Sequence, residues 1–311
     1  MTFRTQWPAA VLSAIVVAAC GSEPIAEQNL VEVVARGLTF EAPDEIPAGW
    51  TTFRFQNASP MLHLALVQRL PDGKGVADHQ SAVAPIFQEG MDLLRAGDLE
   101  AAMAKFGELP EWFGDITFVG GPGFVSAGGT AVTTVHLEPG TYMLECYVKT
   151  GGIFHSYNPN PDVYGMVHQF TVTGPEPETA APEATVHLTL SSERGIEGTN
   201  DLTAGEHIVA VHFDDQTTYE HFLGHDVHLV RLSEDTDLDH VAAWMDWRQP
   251  EGLETPAPAT FVGGTNPMPA GATAYLDVQL TPGRYAWIAQ VPNAPEKGML
   301  KVFAVAGAGG G

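Results

Sequence analysis

The sequence predicts an all-β protein that consists of two β-sandwiches in tandem, with a helical insertion in the first. Short stretches alternate apolar and polar residues and end at turn residues, which is typical of half-buried strands. Several short motifs occur twice in the same order, and a stretch rich in proline and glutamate separates the two sets. The alternation predicts the fold class, and the repeated motifs predict two copies of it.

The composition limits the classes of function. The chain has 311 residues, which suggests about two domains, and its formal net charge is -24. Nucleic acids are held chiefly by Lys and Arg, so a chain with 14 of them against 38 Asp and Glu is not expected to bind nucleic acid. The charge favours a basic redox protein or a cation as partner. No nucleophile elbow, His-Glu-x-x-His motif or Walker loop occurs, and we expect no enzymatic activity.

Residues 1–19 have the features of an export signal. Arg4 precedes an apolar run that ends at Cys20 and is shorter than the roughly 20 residues that span a bilayer. Val17-Ala18-Ala19-Cys20 resembles the bacterial lipobox, which implies that Cys20 is lipidated and becomes the first mature residue. The alternatives are ordinary signal cleavage nearby or a buried N-terminal helix. We expect an exported periplasmic or cell-surface lipoprotein, anchored at Cys20 to the outer membrane, with residues 20–30 as a tether.

The first sandwich is predicted over residues 31–174. Residues 51–57 and 130–137 alternate apolar and polar side chains as strands, and a closing strand follows at residues 168–172. Several short strands at such spacing indicate an antiparallel sandwich.

A segment of helical character interrupts this first copy. Between residues 78 and 113 the apolar residues recur with a helical period, and Gly97-Asp98 marks a break. The second copy has only a shorter helical pattern, at residues 238–247. We expect the insertion to cover one end of the first sandwich.

The second sandwich is predicted over residues 185–306, after a linker at 175–184 and before a flexible tail at 307–311. The evidence for duplication is a set of matched blocks. In chain order, His63 corresponds to His225, Phe118-Val119-Gly120-Gly121 to Phe261-Val262-Gly263-Gly264, Leu137-Glu138-Pro139-Gly140-Thr141-Tyr142 to Leu280-Thr281-Pro282-Gly283-Arg284-Tyr285, and Gly165-Met166 to Gly298-Met299. Four matched blocks in the same order indicate a duplicated domain.

The candidate metal ligands lie in the first copy. If Cys20 carries lipid, Cys146 has no cysteine partner, and an unpaired thiol in an exported protein is open to oxidation unless it is buried or bound to metal. A strand that ends in Cys146, a loop with His155 and a next strand that opens at Met166 would meet at one end of the sandwich, where His63 would add a second imidazole. Two His and one Cys with a weak axial Met form the ligand set of blue copper.

With these residues the sequence resembles the cupredoxin family, the Greek-key β-sandwiches that include plastocyanin and azurin. The resemblance covers both copies. It implies that His63, Cys146 and His155 are the strong ligands of one copper ion, that Met166 is the weak axial ligand, and that the protein transfers single electrons or handles copper. The loop from Cys146 to His155 is longer than in plastocyanin-like proteins, so His168 is an alternative second imidazole.

The second copy lacks the thiolate, since Ala289 stands where Cys146 stands in the first. Blue copper is excluded there, and we expect a scaffold, an interface or a lid. This copy also leaves open a rival function, in which the whole chain is a copper-free cupredoxin-like envelope lipoprotein that acts as a structural or protein-interaction module. Trp244 and Trp247 are expected to cover the core.

A second group of imidazoles occurs at His221, His225 and His228. Imidazole clusters bind zinc or copper. However, residues 227–232 alternate as a strand, which points His225 and His228 to opposite faces. We therefore expect solvated loop histidines here and no second metal site.

Overall fold

The computed structural model describes residues 29–177, 179–198, 202–219 and 222–307. The predicted signal segment, Cys20 and most of the tether lie outside these residues, as do His221 and all of the predicted tail except Gly307. Among the helices of the described residues, none combines the length and the apolar character needed to cross a bilayer.

The first half of the chain is mainly strand, with one group of helices between the fifth and sixth strands. Its elements are β1 (Asn29–Arg36), β2 (Thr39–Glu41), β3 (Glu45–Pro47), β4 (Gly49–Asn57), β5 (Leu66–Arg69), α1 (Val76–Ala82), α2 (Ala84–Arg95), α3 (Leu99–Phe106), a 3₁₀ helix (Glu111–Asp115), β6 (Thr117–Phe118), β7 (Thr130–Leu137), β8 (Gly140–Glu145), β9 (Lys149–Thr150), β10 (Ile153–Phe154) and β11 (Val167–Thr173).

The second half repeats this pattern with fewer elements. They are β12 (Val186–Ser191), β13 (Gly195–Gly198), β14 (Gly205–Phe213), β15 (Val227–Leu232), α4 (Leu238–Trp244), β16 (Thr260–Thr265), β17 (Thr273–Leu280), β18 (Gly283–Ile288) and β19 (Leu300–Val305).

Each half is a sandwich, and the two halves share one layer. An eight-stranded sheet runs in the order β13-β12-β14-β17-β7-β4-β1-β2, so four strands come from each half. The opposite layers are separate, with the order β3-β11-β8-β5-β6 in the first half and β16-β15-β18-β19 in the second. In both halves the first long strand pairs in parallel with the next one, β1 with β4 and β12 with β14. The predicted fold class, two sandwiches with a helical insertion in the first, is confirmed.

Alternation of side chains produces these strands. In β4, Phe53 and Phe55 are buried while Arg54 and Gln56 point to solvent. The ring of Phe53 meets Phe170 of β11 across the sandwich, at 6.2 Å between centroids. The predicted strand at 51–57 lies within β4, and the one at 130–137 coincides with β7.

The repeated glycines lie where the halves meet. Strands β7 and β17 pair antiparallel. Next to them, the segment that follows β6 bonds to β16 and to the residues after β16. In this contact Gly123 donates its N–H to the Gly264 carbonyl at 3.0 Å. A Cβ on Gly121 would lie 2.5 Å from the carbonyl oxygen of Ala65, and one on Gly264 would lie 2.2 Å from that of Val227. Glycine is required at both positions because the backbone of another segment passes too close for a side chain.

The helical insertion forms as predicted and reaches both halves. Gly97 has φ +81°, and the carboxylate of Asp98 caps α3 by accepting from the Ala101 backbone at 3.0 Å. The ring of Phe87 on α2 lies 5.7 Å from both Phe222 and Trp247 of the second half. The insertion thus covers the end of the first sandwich and contacts the second.

Candidate metal centre

A rigid turn after β4 positions His63. The side-chain amide of Asn57 donates to the carbonyls of Met61 at 2.7 Å and Val125 at 2.8 Å. The backbone of His63 then exchanges two hydrogen bonds with Val125, at 3.2 and 2.7 Å. These bonds fix the imidazole of His63 inside the protein, where it is fully buried.

Cys146 follows β8 directly and is also fully buried. It is a free thiol, and its backbone N–H donates to the carbonyl of Met166 at 3.1 Å. Because β8 pairs with both β5 and β11, the end of this strand is fixed on both sides.

His155 follows the short hairpin formed by β9 and β10. Its backbone N–H donates to the Val148 carbonyl at 2.8 Å, and its carbonyl accepts from Met166 at 2.6 Å. The ring is 2 % exposed, with Nε2 at 2.9 Å from the hydroxyl of Thr150. The hairpin therefore turns Nδ1 of His155 toward the interior.

The three side chains form a compact triangle of donor atoms. His63 Nδ1 lies 3.4 Å from Cys146 Sγ and 3.1 Å from His155 Nδ1, and Cys146 Sγ lies 3.6 Å from His155 Nδ1. Bonds of about 2.0 Å to nitrogen and about 2.3 Å to sulfur around a trigonal ion would place such donors about 3.5–3.7 Å apart. The triangle fits a soft or borderline metal ion after shifts of a few tenths of an ångström.

Burial determines the protonation of this group in the metal-free protein. Desolvation lowers the pKa of His63 to about 4, partly offset by a backbone hydrogen bond to Gly37, and lowers the pKa of His155 to about 3, with a further decrease from His63. Desolvation raises the pKa of Cys146 to about 12, against hydrogen bonds from the backbone of Leu64 and Val148. Both imidazoles are thus neutral, so each has one nitrogen lone pair to offer to a metal ion, and a cation is needed to ionise the thiol.

The backbone of Met166 lies next to the triangle. The residue precedes β11, is fully buried, and its main chain bonds to both Cys146 and His155. These contacts are made by its main chain, and its role as axial ligand stays a prediction.

His168 lies apart from the triangle. Its Nε2 is 3.2 Å from the Pro43 carbonyl and 3.4 Å from the carboxylate of Asp44. Of the two alternative imidazoles, His155 is the one that the fold brings to Cys146 and His63.

The second half shows the same backbone without the donors. The N–H of Ala289 bonds to the Met299 carbonyl at 3.0 Å, and the N–H of Met299 bonds to the Ala294 carbonyl at 2.7 Å. These bonds match those of Cys146, Met166 and His155, so alanine occupies the positions of both the thiol and the second imidazole.

His225 and His228 of the second half belong to separate hydrogen-bond networks. His225 lies between Asp215 at 3.3 Å and the hydroxyl of Tyr219 at 3.0 Å. His228 pairs with the buried carboxylate of Asp226 at 2.9 Å and accepts from the backbone of Phe124 at 3.1 Å. Both side chains are buried, which corrects the expectation of solvated histidines, since hydrogen bonds compensate the loss of water. Among the described residues the only His, Cys and carboxylate group with metal-binding spacing is His63, Cys146 and His155.

Residues of the second half that were not predicted from the sequence hold the His155 hairpin. The hydroxyl of Thr255 lies 2.7 Å from that of Thr150, and the carboxylate of Glu254 accepts from the backbone of Gly151 and Gly152. The ammonium group of Lys149 is buried and donates to three carbonyls between β15 and β16 of the second half. No local sequence pattern indicates such contacts.

No protein-family model and no curated protein matches the chain. Among the solved structures similar to this chain is auracyanin B, at 16% sequence identity and a TM-score of 0.29, with 41% of this chain and 93% of auracyanin B covered. Another is auracyanin A, a "blue" copper protein from Chloroflexus aurantiacus, at 18% identity and a TM-score of 0.27, with 47% of this chain and 100% of auracyanin A covered. A multicopper oxidase matches over 90% of this chain and 88% of its own, at 13% identity and a TM-score of 0.23. The assignment of the site rests on the side-chain geometry.

Proposed function

We propose that the first half binds one copper ion through His63, Cys146 and His155, with Met166 as the weak axial ligand, and that the protein transfers single electrons or handles copper. The observation that carries this proposal is the buried triangle of two Nδ1 atoms and one Sγ within 3.1–3.6 Å of one another. A thiol and two imidazoles are a donor set that favours copper.

The chemistry follows from the ligands and their surroundings. Bound by one thiolate and two imidazoles, copper would supply one-electron chemistry between Cu(I) and Cu(II). His63 and His155 offer neutral nitrogen donors, and Cys146 releases its proton to become the thiolate. All three residues are attached to paired backbone, so the protein holds them in nearly one arrangement, and this limits the reorganisation that accompanies electron transfer.

The experiment is a titration of the full mature chain with Cu(II) under anaerobic conditions, followed by visible absorption. We expect an intense thiolate-to-copper band that saturates at one equivalent. The variant Cys146→Ser is expected to lose the band. A colourless protein whose thiol alkylates at an unchanged rate with copper present would contradict the proposal and support the copper-free structural or interaction module.

A matched pair of variants tests the assignment of the second imidazole. His155→Gln is expected to weaken or abolish the band, whereas His168→Gln leaves it unchanged because His168 bonds to Pro43 and Asp44. The opposite result would transfer the ligand role to His168.

The location and the partner belong to the same proposal. Export, lipid attachment at Cys20 and an outer-membrane position are inferred from the N-terminal sequence, and a basic redox protein is inferred from the net charge of -24. Metabolic labelling with a radioactive or clickable fatty acid, compared between the natural chain and Cys20→Ala, tests the anchor.

A further inference from the structure

We infer that the second half completes the metal centre, because Thr255 orients the hydroxyl of Thr150 and thereby the imidazole of His155. This inference rests on the proposed function, since it concerns how one proposed copper ligand is held. It assigns a positioning role to a half of the chain that has no ligand set of its own.

A chain of hydrogen bonds connects the two halves at this point. His155 Nε2 lies 2.9 Å from Thr150 Oγ1, which lies 2.7 Å from Thr255 Oγ1. On the other side of the ring, Nδ1 of His155 faces Cys146 and His63. When Nε2–H donates to Thr150, the lone pair of Nδ1 is directed at the other two donor atoms.

Thr255 determines where the proton of the Thr150 hydroxyl points. A hydroxyl that accepts from Nε2–H has its own proton free to donate. Around Thr150 Oγ1 the acceptors are the Thr255 hydroxyl at 2.7 Å and the Met61 sulfur at 3.4 Å. Oxygen is the stronger acceptor, so Thr255 fixes the orientation in which Thr150 presents a lone pair to His155.

The backbone holds Thr255 in register with Thr150. Lys149 donates its N–H to the Leu253 carbonyl at 2.9 Å, and its carbonyl accepts from the Thr255 N–H at 2.9 Å. The Glu254 carboxylate between them binds the N–H groups of Gly151 and Gly152 in the turn of the hairpin. Three successive residues of the second half thus form hydrogen bonds to the hairpin that carries His155.

The side chain of Lys149 strengthens the same contact. Its ammonium group donates to the carbonyls of Trp247 at 3.0 Å and Gln249 at 2.9 Å. On the opposite side of the hairpin, the guanidinium group of Arg95, the last residue of α2, lies directly against Gly152. The hairpin is therefore enclosed by the second half on one side and by α2 on the other.

The chemical consequence concerns the strength of one ligand. An acceptor on Nε2–H fixes the tautomer and raises the basicity of the coordinating nitrogen, and loss of such a partner typically costs about 10–100-fold in metal affinity. Thr150 acts on His155 directly, whereas Thr255 acts only through Thr150.

The experiment compares Thr150→Val, Thr255→Val and the double variant in the full chain, with Thr260→Val as the control because Thr260 is an exposed residue of β16. Two quantities are measured: the tautomer of His155 in the metal-free protein, by long-range ¹H–¹⁵N NMR, and the Cu(II) affinity, by competition with a chelator.

We expect the Nε2–H tautomer in the natural chain and a mixture of tautomers in Thr150→Val. Copper affinity should fall about 10–100-fold in Thr150→Val, fall by a smaller factor in Thr255→Val, and fall no further in the double variant than in Thr150→Val. Thr260→Val should match the natural chain.

Two results would overturn the inference: a Thr255→Val protein with natural tautomer and affinity, or losses that add in the double variant. If copper binds to none of the chains, the proposed function fails, but the tautomer measurement still decides whether Thr255 orients His155.

Discussion

Cys146 is a buried thiol whose sulfur lies within 3.6 Å of two imidazole nitrogens, and the proposed copper binding should therefore depend on pH. At pH 7 the imidazoles are neutral, since the pKa of His63 is about 4 and that of His155 about 3, while the thiol, with a pKa of about 12, holds its proton. Binding of Cu(II) should therefore release one proton, and the affinity should rise about tenfold per pH unit from pH 5 to 8.

Calorimetric titrations in buffers of different ionisation enthalpy measure the number of protons released. A value near one agrees with a Cys146 thiolate ligand. A value near zero, with an affinity that does not change with pH, would show that the thiol stays protonated and is not a ligand.

The buried ammonium group of Lys149 leads to a prediction about how stability depends on pH. Burial lowers the pKa of its ammonium group to about 8 from 10.5, so between these two values the unfolded chain binds more protons than the folded one. The free energy of unfolding should then rise as the pH increases from 8 to 10.5, by on the order of 3 kcal/mol over the whole interval.

The measurement is urea unfolding of the natural chain and Lys149→Met at pH 7.5 and pH 10. The difference in unfolding free energy between the two proteins isolates Lys149, since the opposite contribution of Cys146 is common to both. The natural chain should gain stability relative to the variant on going to pH 10; an unchanged difference would refute the lowered pKa.

Residue type made part of the site predictable. A thiol without a partner, two histidines and a methionine in the right chain order predict a donor set, and the fold brings His63, Cys146 and His155 together. Thr150 and Thr255 were not predictable, because threonine is common on protein surfaces and the hydrogen bond between them joins residues more than 100 positions apart.

The helical insertion is an element that contributes stability to both halves. Phe87 on α2 packs against Phe106 and Phe113 of the insertion and against Phe222 and Trp247 of the second half. Because the ring is half-buried, Phe87→Ala should cost about 2–3 kcal/mol of unfolding free energy.

Chemical denaturation measures this cost, with Leu99→Ala on α3 as the control. Leu99 is 60% exposed, so its loss should stay within about 0.5 kcal/mol. Equal effects of the two variants would show that the insertion does not pack as described.

Local sequence patterns predicted the strands and helices better than they predicted which strands pair. The alternation at 130–137 gives β7, and the helical period at 78–113 gives α1 to α3. The parallel pairing of β1 with β4 was not predicted, since alternation defines the faces of a strand and not its neighbours. The apolar residues Leu99 and Met103 follow the helical period of the insertion, yet both are exposed.

At the scale of the whole molecule, the shared eight-stranded sheet makes the halves depend on each other. Without the second half, β7 becomes an open edge that has lost β17, and the hairpin with His155 loses Glu254 and Thr255. Residues 29–177 alone should associate in solution and bind Cu(II) more weakly than the full chain.

Gel filtration with light scattering, together with copper competition, measures both effects. A monomeric fragment with the full-chain affinity would show that the first half is independent. The sequence pattern predicted two sandwiches but not this junction, because the alternation that predicts β7 and β17 defines the faces of each strand and not which strand it pairs with.

The most direct test of the copper assignment is a crystal structure of the copper-loaded full chain, with anomalous data collected on both sides of the copper absorption edge. One strong anomalous peak is expected within bonding distance of His63 Nδ1, Cys146 Sγ and His155 Nδ1. A peak at other residues, or no peak between these three atoms at saturating copper, would contradict the account.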